Sequence, residues 1–132
     1  MTTVRTSLLI AATILMLFGA GGNALMVVPD LHGDLIEIGV RRSVLGGTVL
    51  QFYFAVMAHF AFAAIVAAAA VQSSRGIELP RFSLAVIAVT HTVFGAMAFS
   101  RSHNPHHLGP LLMGLLVGAA LLVPPFRRAA VS

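Results

Sequence analysis

Four long apolar runs, separated by short polar stretches, make up most of the chain. They cover residues 7–28, 44–71, 82–99 and 105–123. Because a helix needs about 20 apolar residues to cross a bilayer, each run is long enough for about one span. The second run is the longest and rises about 40 Å against roughly 30 Å of hydrocarbon, so it must tilt or protrude. The pattern predicts an all-α fold, an integral membrane four-helix bundle in a single domain.

The polar stretches predict the connections between these helices. Residues 30–43 are the most strongly charged stretch and are expected to form an interfacial segment or loop, and residues 72–81 contain turn-forming residues. A fourth helix that began at Pro110 would rise only about 20 Å, too little for a bilayer. Asn104 and Pro105 supply an N-cap and a proline at the first helical position. We therefore expect the fourth helix to begin there, with His106 and His107 in its first turn and a kink at Pro110.

Composition supports a membrane protein and narrows the classes of function. Hydrophobic residues make up 58% of the chain, charged residues 9%, and the mean hydropathy is +0.96. Soluble domains carry about 25% charged residues. The eight arginines are scattered between apolar runs and form no stripe, which argues against nucleic acid as a partner. Cysteine is absent, which excludes disulfides, thiolate metal sites and cysteine nucleophiles.

The arginines near the helix ends predict an orientation. Five of them lie at ends that share one side of the membrane, and three lie on the other side. Cytoplasmic loops carry an excess of basic residues, so both termini are predicted to be cytoplasmic. We expect the protein to lie in the bacterial inner membrane, with the lipid bilayer as its main partner.

Polar residues inside the spans are the candidates for chemistry, because such groups must face the bundle interior or a cavity. Gln51 and His59 lie on a small and polar stripe of the second helix, and His91 lies on a similar stripe of the third. The two histidines share a depth near mid-span. On sequential antiparallel helices they are expected to ligate haem b axially, or to bracket a quinone or another hydrophobic small molecule, with small neighbours leaving room for a flat ligand. Asn23 is a further candidate cofactor-binding residue.

The alternative is that each histidine hydrogen-bonds a neighbouring helix and only holds the bundle together. Asn23, Gln51, Tyr53 or a threonine are suitable partners for that role. The fourth helix also carries Gly114 and Gly118, a GxxxG pattern that suits close helix packing.

A second group of histidines lies at the start of the fourth helix. His103, His106 and His107 have HxxHH spacing, and His32 is expected on the same outer side. Imidazole is a suitable ligand for zinc, copper or iron, so an outer-face metal ion is one hypothesis. The other is a hydrated loop that meets lipid headgroups.

Two families resemble parts of this layout. The glycine-rich first helix, the charged connection and the sequence Arg-Arg-Ser-Val-Leu-Gly-Gly at residues 41–47 resemble the small four-helix DoxX-like membrane proteins. That resemblance implies quinone-linked oxidation or an accessory role. Residues 99–109 resemble styrene oxide isomerase, which implies haem b acting as a Lewis acid. Ser43 stands where that family is expected to have its haem ligand, so His59 or His91 would take that role.

Three classes of function follow. The first is a haem- or quinone-linked membrane enzyme, an oxidoreductase or isomerase of a hydrophobic substrate. The alternative is a non-catalytic accessory subunit. With either function, we expect the protein to form a homo-oligomer or to belong to a larger membrane complex. A transporter or channel is disfavoured, because all acidic residues and arginines lie in loops or at span ends.

Overall fold

The computed structural model describes residues 4–124, which form helices and turns and include no strand. Helix α1 covers Val4–Gly22 and continues through a π-helical turn, Asn23–Val27, into α2, Val28–Glu37. Helix α3 covers Arg42–Ser74 and α4 covers Arg81–Ser102. A 3₁₀ turn, Pro105–His107, leads into α5, Leu108–Leu122.

Four helical stretches have the length and apolar character needed to cross a membrane. They are Val4–Glu37, Arg42–Ser74, Arg81–Ser102 and Pro105–Leu122. Each corresponds to one of the predicted runs, so the all-α prediction with four long apolar helices is confirmed.

The charged stretch after the first run is helical where a loop or interfacial segment was expected. Pro29 lies in the first turn of α2, directly after the π-helical turn. A proline ring inside a regular helix clashes with the carbonyl four residues earlier, and a π-helical turn re-routes that hydrogen bonding. The helix therefore passes the proline and ends at Glu37, and Gly39, with a φ of +71°, follows the C-cap Ile38 as glycine often does.

The start of the fourth span also differs in detail. The Asn104 side chain accepts a hydrogen bond from the His106 backbone N–H at 3.0 Å, as an N-cap does. His106 and His107 belong to the 3₁₀ turn, however, and α5 begins at Leu108. Pro110 thus lies in the first turn of α5, where its missing N–H breaks no intrahelical bond, so no kink is needed there.

The helices pack in the order α3, α1, α5, α4, and the seam between α3 and α4 is only loosely closed. Most buried apolar residues lie at the end of the bundle where α3 connects to α4, among them Leu9, Met16, Val66, Leu84 and Val117. At the other end, none of residues 42–55 of α3 or 96–102 of α4 is buried. The bundle is therefore compact at one end and open along the α3–α4 seam at the other.

Small residues bring α4 and α5 into close contact. A Cβ atom added at Gly95 would lie 2.8 Å from the Leu111 Cα, and one added at Gly114 would lie 2.7 Å from the Ala88 carbonyl oxygen. The small stripe of α4 was expected to leave room for a flat ligand, but the α5 backbone fills that space. Gly114 of the GxxxG pattern makes the close approach, whereas a Cβ at Gly118 would meet only ordinary contact at 3.9 Å.

Candidate functional site

His59 of α3 and His91 of α4 meet across the α3–α4 seam. Their Nε2 atoms are 3.3 Å apart, and the rings are nearly perpendicular, with centroids 4.9 Å apart. His91 is only 4% exposed, whereas His59 is half-buried. The structure thus places the two mid-span histidines together, where the compact end of the bundle gives way to the open seam.

A backbone carbonyl orients the His91 ring. Its Nδ1 lies 2.9 Å from the carbonyl oxygen of Ile87, one turn earlier in α4. A carbonyl only accepts hydrogen bonds, so Nδ1 carries the hydrogen, and Nε2 of the neutral ring carries a lone pair. The same arrangement orients metal-ligating histidines in many proteins.

The direction of the inter-helix hydrogen bond follows from that tautomer. Because the His91 Nε2 is an acceptor, the His59 Nε2–H must donate to it. The remaining His59 nitrogen, Nδ1, is then an acceptor, and it has no partner among residues 4–124. The pair is a one-way hydrogen-bond chain whose free end is the His59 Nδ1.

Phe62 also belongs to this site and was missing from the sequence-based candidates. Its ring meets that of His91 edge to face, with centroids 5.6 Å apart. Phe62 follows His59 by three residues, a spacing that places both on one face of α3. That spacing was the available signal. The aromatic contact restrains the buried imidazole beside its hydrogen bonds.

Asn23 and Gln51, predicted alongside the histidines, make no hydrogen bond with them. The Asn23 amide donates to the carbonyl of Gly19 within its own helix at 2.8 Å. Gln51 is exposed on the open half of α3 and has no hydrogen-bond partner in the described part of the chain. It precedes His59 by eight residues, about 12 Å along the helix.

The histidines at the start of the fourth span do not form a cluster in this structure. His103 caps α4 with a φ of +51°, and its backbone N–H donates to the Phe99 carbonyl at 2.8 Å. The rings of His106 and His107 have centroids 6.1 Å apart, and His32 is exposed on α2. Within residues 4–124, no three histidine or acidic side chains are placed to hold a metal ion. Metal binding at these four positions stays a prediction.

Comparisons with protein-family models, curated proteins and solved structures gave no match to this chain. The resemblances to DoxX-like proteins and to styrene oxide isomerase therefore stay predictions, and the function is argued from the site alone.

Proposed function

We propose that the chain is an integral membrane protein of the bacterial inner membrane, with four spans and both termini in the cytoplasm. Its exposed surface suits hydrocarbon, because large apolar side chains such as Phe18, Phe54 and Phe82 are exposed along three of the long helices. The excess of arginines at one end supports the orientation.

Within that bundle, we propose a binding site for a hydrophobic molecule that carries a hydroxyl group, with a quinol as the best-fitting class. The observation that carries this proposal is the unpaired His59 Nδ1 at the free end of the His59–His91 chain. An acceptor at mid-span cannot find water in hydrocarbon, so a donor from a ligand would satisfy it. The open half of the α3–α4 seam gives such a molecule a lateral way in.

The chain also provides a path for a proton. A ligand O–H that donates to His59 Nδ1 can pass its proton there while the His59 Nε2 proton moves to His91 Nε2. His91 then carries the positive charge, and its Nδ1–H remains bonded to the Ile87 carbonyl, which stabilises the cation. This accounts for one of the two protons that quinol oxidation releases, and the two electrons would pass to a separate electron acceptor.

A direct binding measurement tests the quinol proposal. Purified protein in neutral-lipid nanodiscs is titrated with a short-chain quinol and with its dimethyl ether, which lacks both hydroxyl donors. Loss of one hydrogen bond corresponds to about five- to tenfold weaker binding, so the ether is expected to bind that much more weakly. His59→Phe should remove the difference between the two ligands, whereas the same change at exposed His32 should preserve it. Equal binding of quinol and ether by the unchanged protein would contradict the proposal.

Haem b fits part of the same geometry. His91 has the lone pair on Nε2 and the engaged Nδ1–H that an axial ligand needs. Ligation of one iron by both histidines from opposite sides needs their nitrogens about 4 Å apart, twice a typical metal–imidazole bond of about 2.0 Å. The observed 3.3 Å is shorter, so His59 would have to move aside. Bound haem would supply a redox-active or Lewis-acidic iron.

The absorption spectrum tests haem directly. Protein supplied with haem during expression should show a Soret band that His91→Leu removes and His32→Leu leaves in place. A band that survives His91→Leu would exclude His91 as the ligand, and the absence of any band would leave the quinol site as the proposal.

An accessory role in a larger assembly is the second candidate function, and Gln51 favours it. The exposed Gln51 amide would face lipid unpaired, at an energetic cost, unless another transmembrane helix satisfies it. A homo-oligomer or a complex with another membrane protein would supply such a helix. Gln51→Leu should then dissociate the assembly in size measurements by native mass spectrometry, whereas Met57→Leu, at an exposed apolar position of the same helix, should not. An unchanged mass for Gln51→Leu would refute this role for the amide.

A further inference from the structure

Away from the histidine pair, the start of α1 and the end of α3 form a corner at the compact end of the bundle, the end at which α4 also begins. Arg5 lies in the first turn of α1, Gln72 in the last turn of α3, and Arg81 is the first residue of α4. The Thr6 hydroxyl donates to the Ser73 hydroxyl at 2.9 Å, which ties the start of α1 to the end of α3. Since Thr6 follows Arg5 and Ser73 follows Gln72, this hydrogen bond brings those two residues to the same corner.

Arg5 has a buried, unpaired Nε and no anion beside it among residues 4–124. The residue is only 6% exposed, and its Nε has no hydrogen-bond partner in that part of the chain. No carboxylate among the described residues forms an ion pair with it, although Glu78 lies in the exposed connection at this end. Buried polar atoms normally have a hydrogen-bond partner, so the Arg5 Nε–H is available to an acceptor oxygen of a ligand.

Further positive charge converges on the same corner. Arg81, the first residue of α4, adds a second positive charge at the same end of the bundle. Helix α4 begins here, and the N-terminal end of a helix carries partial positive charge and free backbone N–H groups. Two arginines and the start of α4 together favour a multiply bonded oxyanion over a single carboxylate.

The Gln72 side chain narrows the chemical class of ligand that fits this corner. Its amide oxygen is buried and unpaired, as the Arg5 Nε is. An amide oxygen accepts hydrogen bonds, so it does not contact a bare phosphate oxygen. A ligand with both a phosphate and a neighbouring hydroxyl would satisfy the guanidinium and the amide at once.

We propose that the corner formed by Arg5, Gln72 and Arg81 binds a phosphate group that has a hydroxyl beside it, as in a phosphoglycerol lipid headgroup. The corner lies at a helix-end level, where headgroups meet the bundle if the chain spans the membrane as proposed above. The site itself does not depend on the histidine pair. Inorganic phosphate, which carries its own P–OH donor at neutral pH, is the other source of the same chemistry.

Thermal unfolding of the full chain in nanodiscs tests the site. The compared lipids are neutral phosphatidylcholine alone and phosphatidylcholine with titrated phosphatidylglycerol, and a third series adds inorganic phosphate to the neutral lipid. We expect phosphatidylglycerol to raise the unfolding temperature, with an apparent affinity about fivefold weaker in Arg81→Ala. Arg75→Ala, an exposed arginine at the same end, is the matched control and should change the affinity little. Protection by phosphate alone would identify free phosphate as the source, and protection by phosphatidylglycerol alone would identify the headgroup.

A second variant, Gln72→Glu, tests the site without replacing Arg5, whose removal from the helix packing would risk misfolding. The new carboxylate would pair with Arg5 inside the protein, so this variant should fold stably in neutral lipid and lose its response to both phosphatidylglycerol and phosphate. Equal responses of Arg81→Ala, Gln72→Glu and Arg75→Ala would overturn the proposal. That result would leave the quinol site untouched, because the two sites share no residue.

Discussion

Replacing Gly95 with alanine tests the close approach of α4 and α5 on which the position of His91 depends. The added Cβ would lie 2.8 Å from the Leu111 Cα, about 0.6 Å short of the 3.4 Å at which ordinary contact begins. Backbone atoms cannot rotate away as the end of a side chain can, so the helices must separate. Overpacking of this kind costs about 1–3 kcal/mol.

Alanine also favours a helix over glycine by about 0.8–1.0 kcal/mol, which partly offsets the overlap. Gly47→Ala in α3 isolates that contribution, since nothing lies within 4 Å of a Cβ added there. The free energy of unfolding, measured by SDS titration in lipid–detergent micelles, should be about 1–3 kcal/mol lower for Gly95→Ala than for Gly47→Ala. Equal values for the two variants would refute the α4–α5 contact.

The remaining predictions concern the end of α4 and the topology. His103→Gly should raise the free energy of unfolding by about 0.5–1 kcal/mol, because only glycine adopts the positive φ of this cap without strain, and calorimetry that finds destabilisation would contradict this. If the outer histidines bind a metal, joint removal of His103, His106 and His107 should abolish the metal retained through purification, and unchanged content by elemental analysis would leave them as headgroup contacts. A reporter fused after Ser132 should be active in the cytoplasm and one inserted near Asn104 outside, and the reverse pattern would overturn the proposed orientation.

The four long helices were predictable because each apolar run has the length of a span. Which helices pack against each other was not predictable from the sequence. The lipid-facing and core-facing sides of such helices are both apolar, so hydrophobic periodicity does not indicate which side packs. The sequential helices α3 and α4 were expected to be close neighbours, yet each packs mainly on another helix. The α2 helix was not predicted, because its charges indicate an interfacial segment or loop, and the π-helical turn that carries the chain past Pro29 has no simple sequence signal.

The shared level of the two histidines was predictable, but their direct contact was not. The depth of His59 and His91, and their small-residue stripes on sequential helices, predicted that they lie on either side of a ligand. In the structure the two rings meet each other. The tautomers could not be predicted from the sequence. They depend on the contact between the His91 Nδ1 and the Ile87 carbonyl, and that contact depends on the rotamer of the His91 side chain. Arg5 was counted only as an arginine near a helix end, and Gln72 was assigned to the connection 72–81, although it lies in the last turn of α3. The burial of their polar atoms arises only when the helices pack.

The most direct test of the hydrogen-bond chain is nitrogen-15 NMR of the two imidazoles in lipid bilayers, assigned with His59→Phe and His91→Phe. At neutral pH, we expect a hydrogen on Nδ1 of His91 and on Nε2 of His59, with the other nitrogen of each ring unprotonated. A short-chain quinol should shift the His59 Nδ1 signal most, since that atom receives the ligand hydroxyl. A His91 ring that carries its hydrogen on Nε2, or a His59 Nδ1 that does not respond to quinol, would contradict the proposed site.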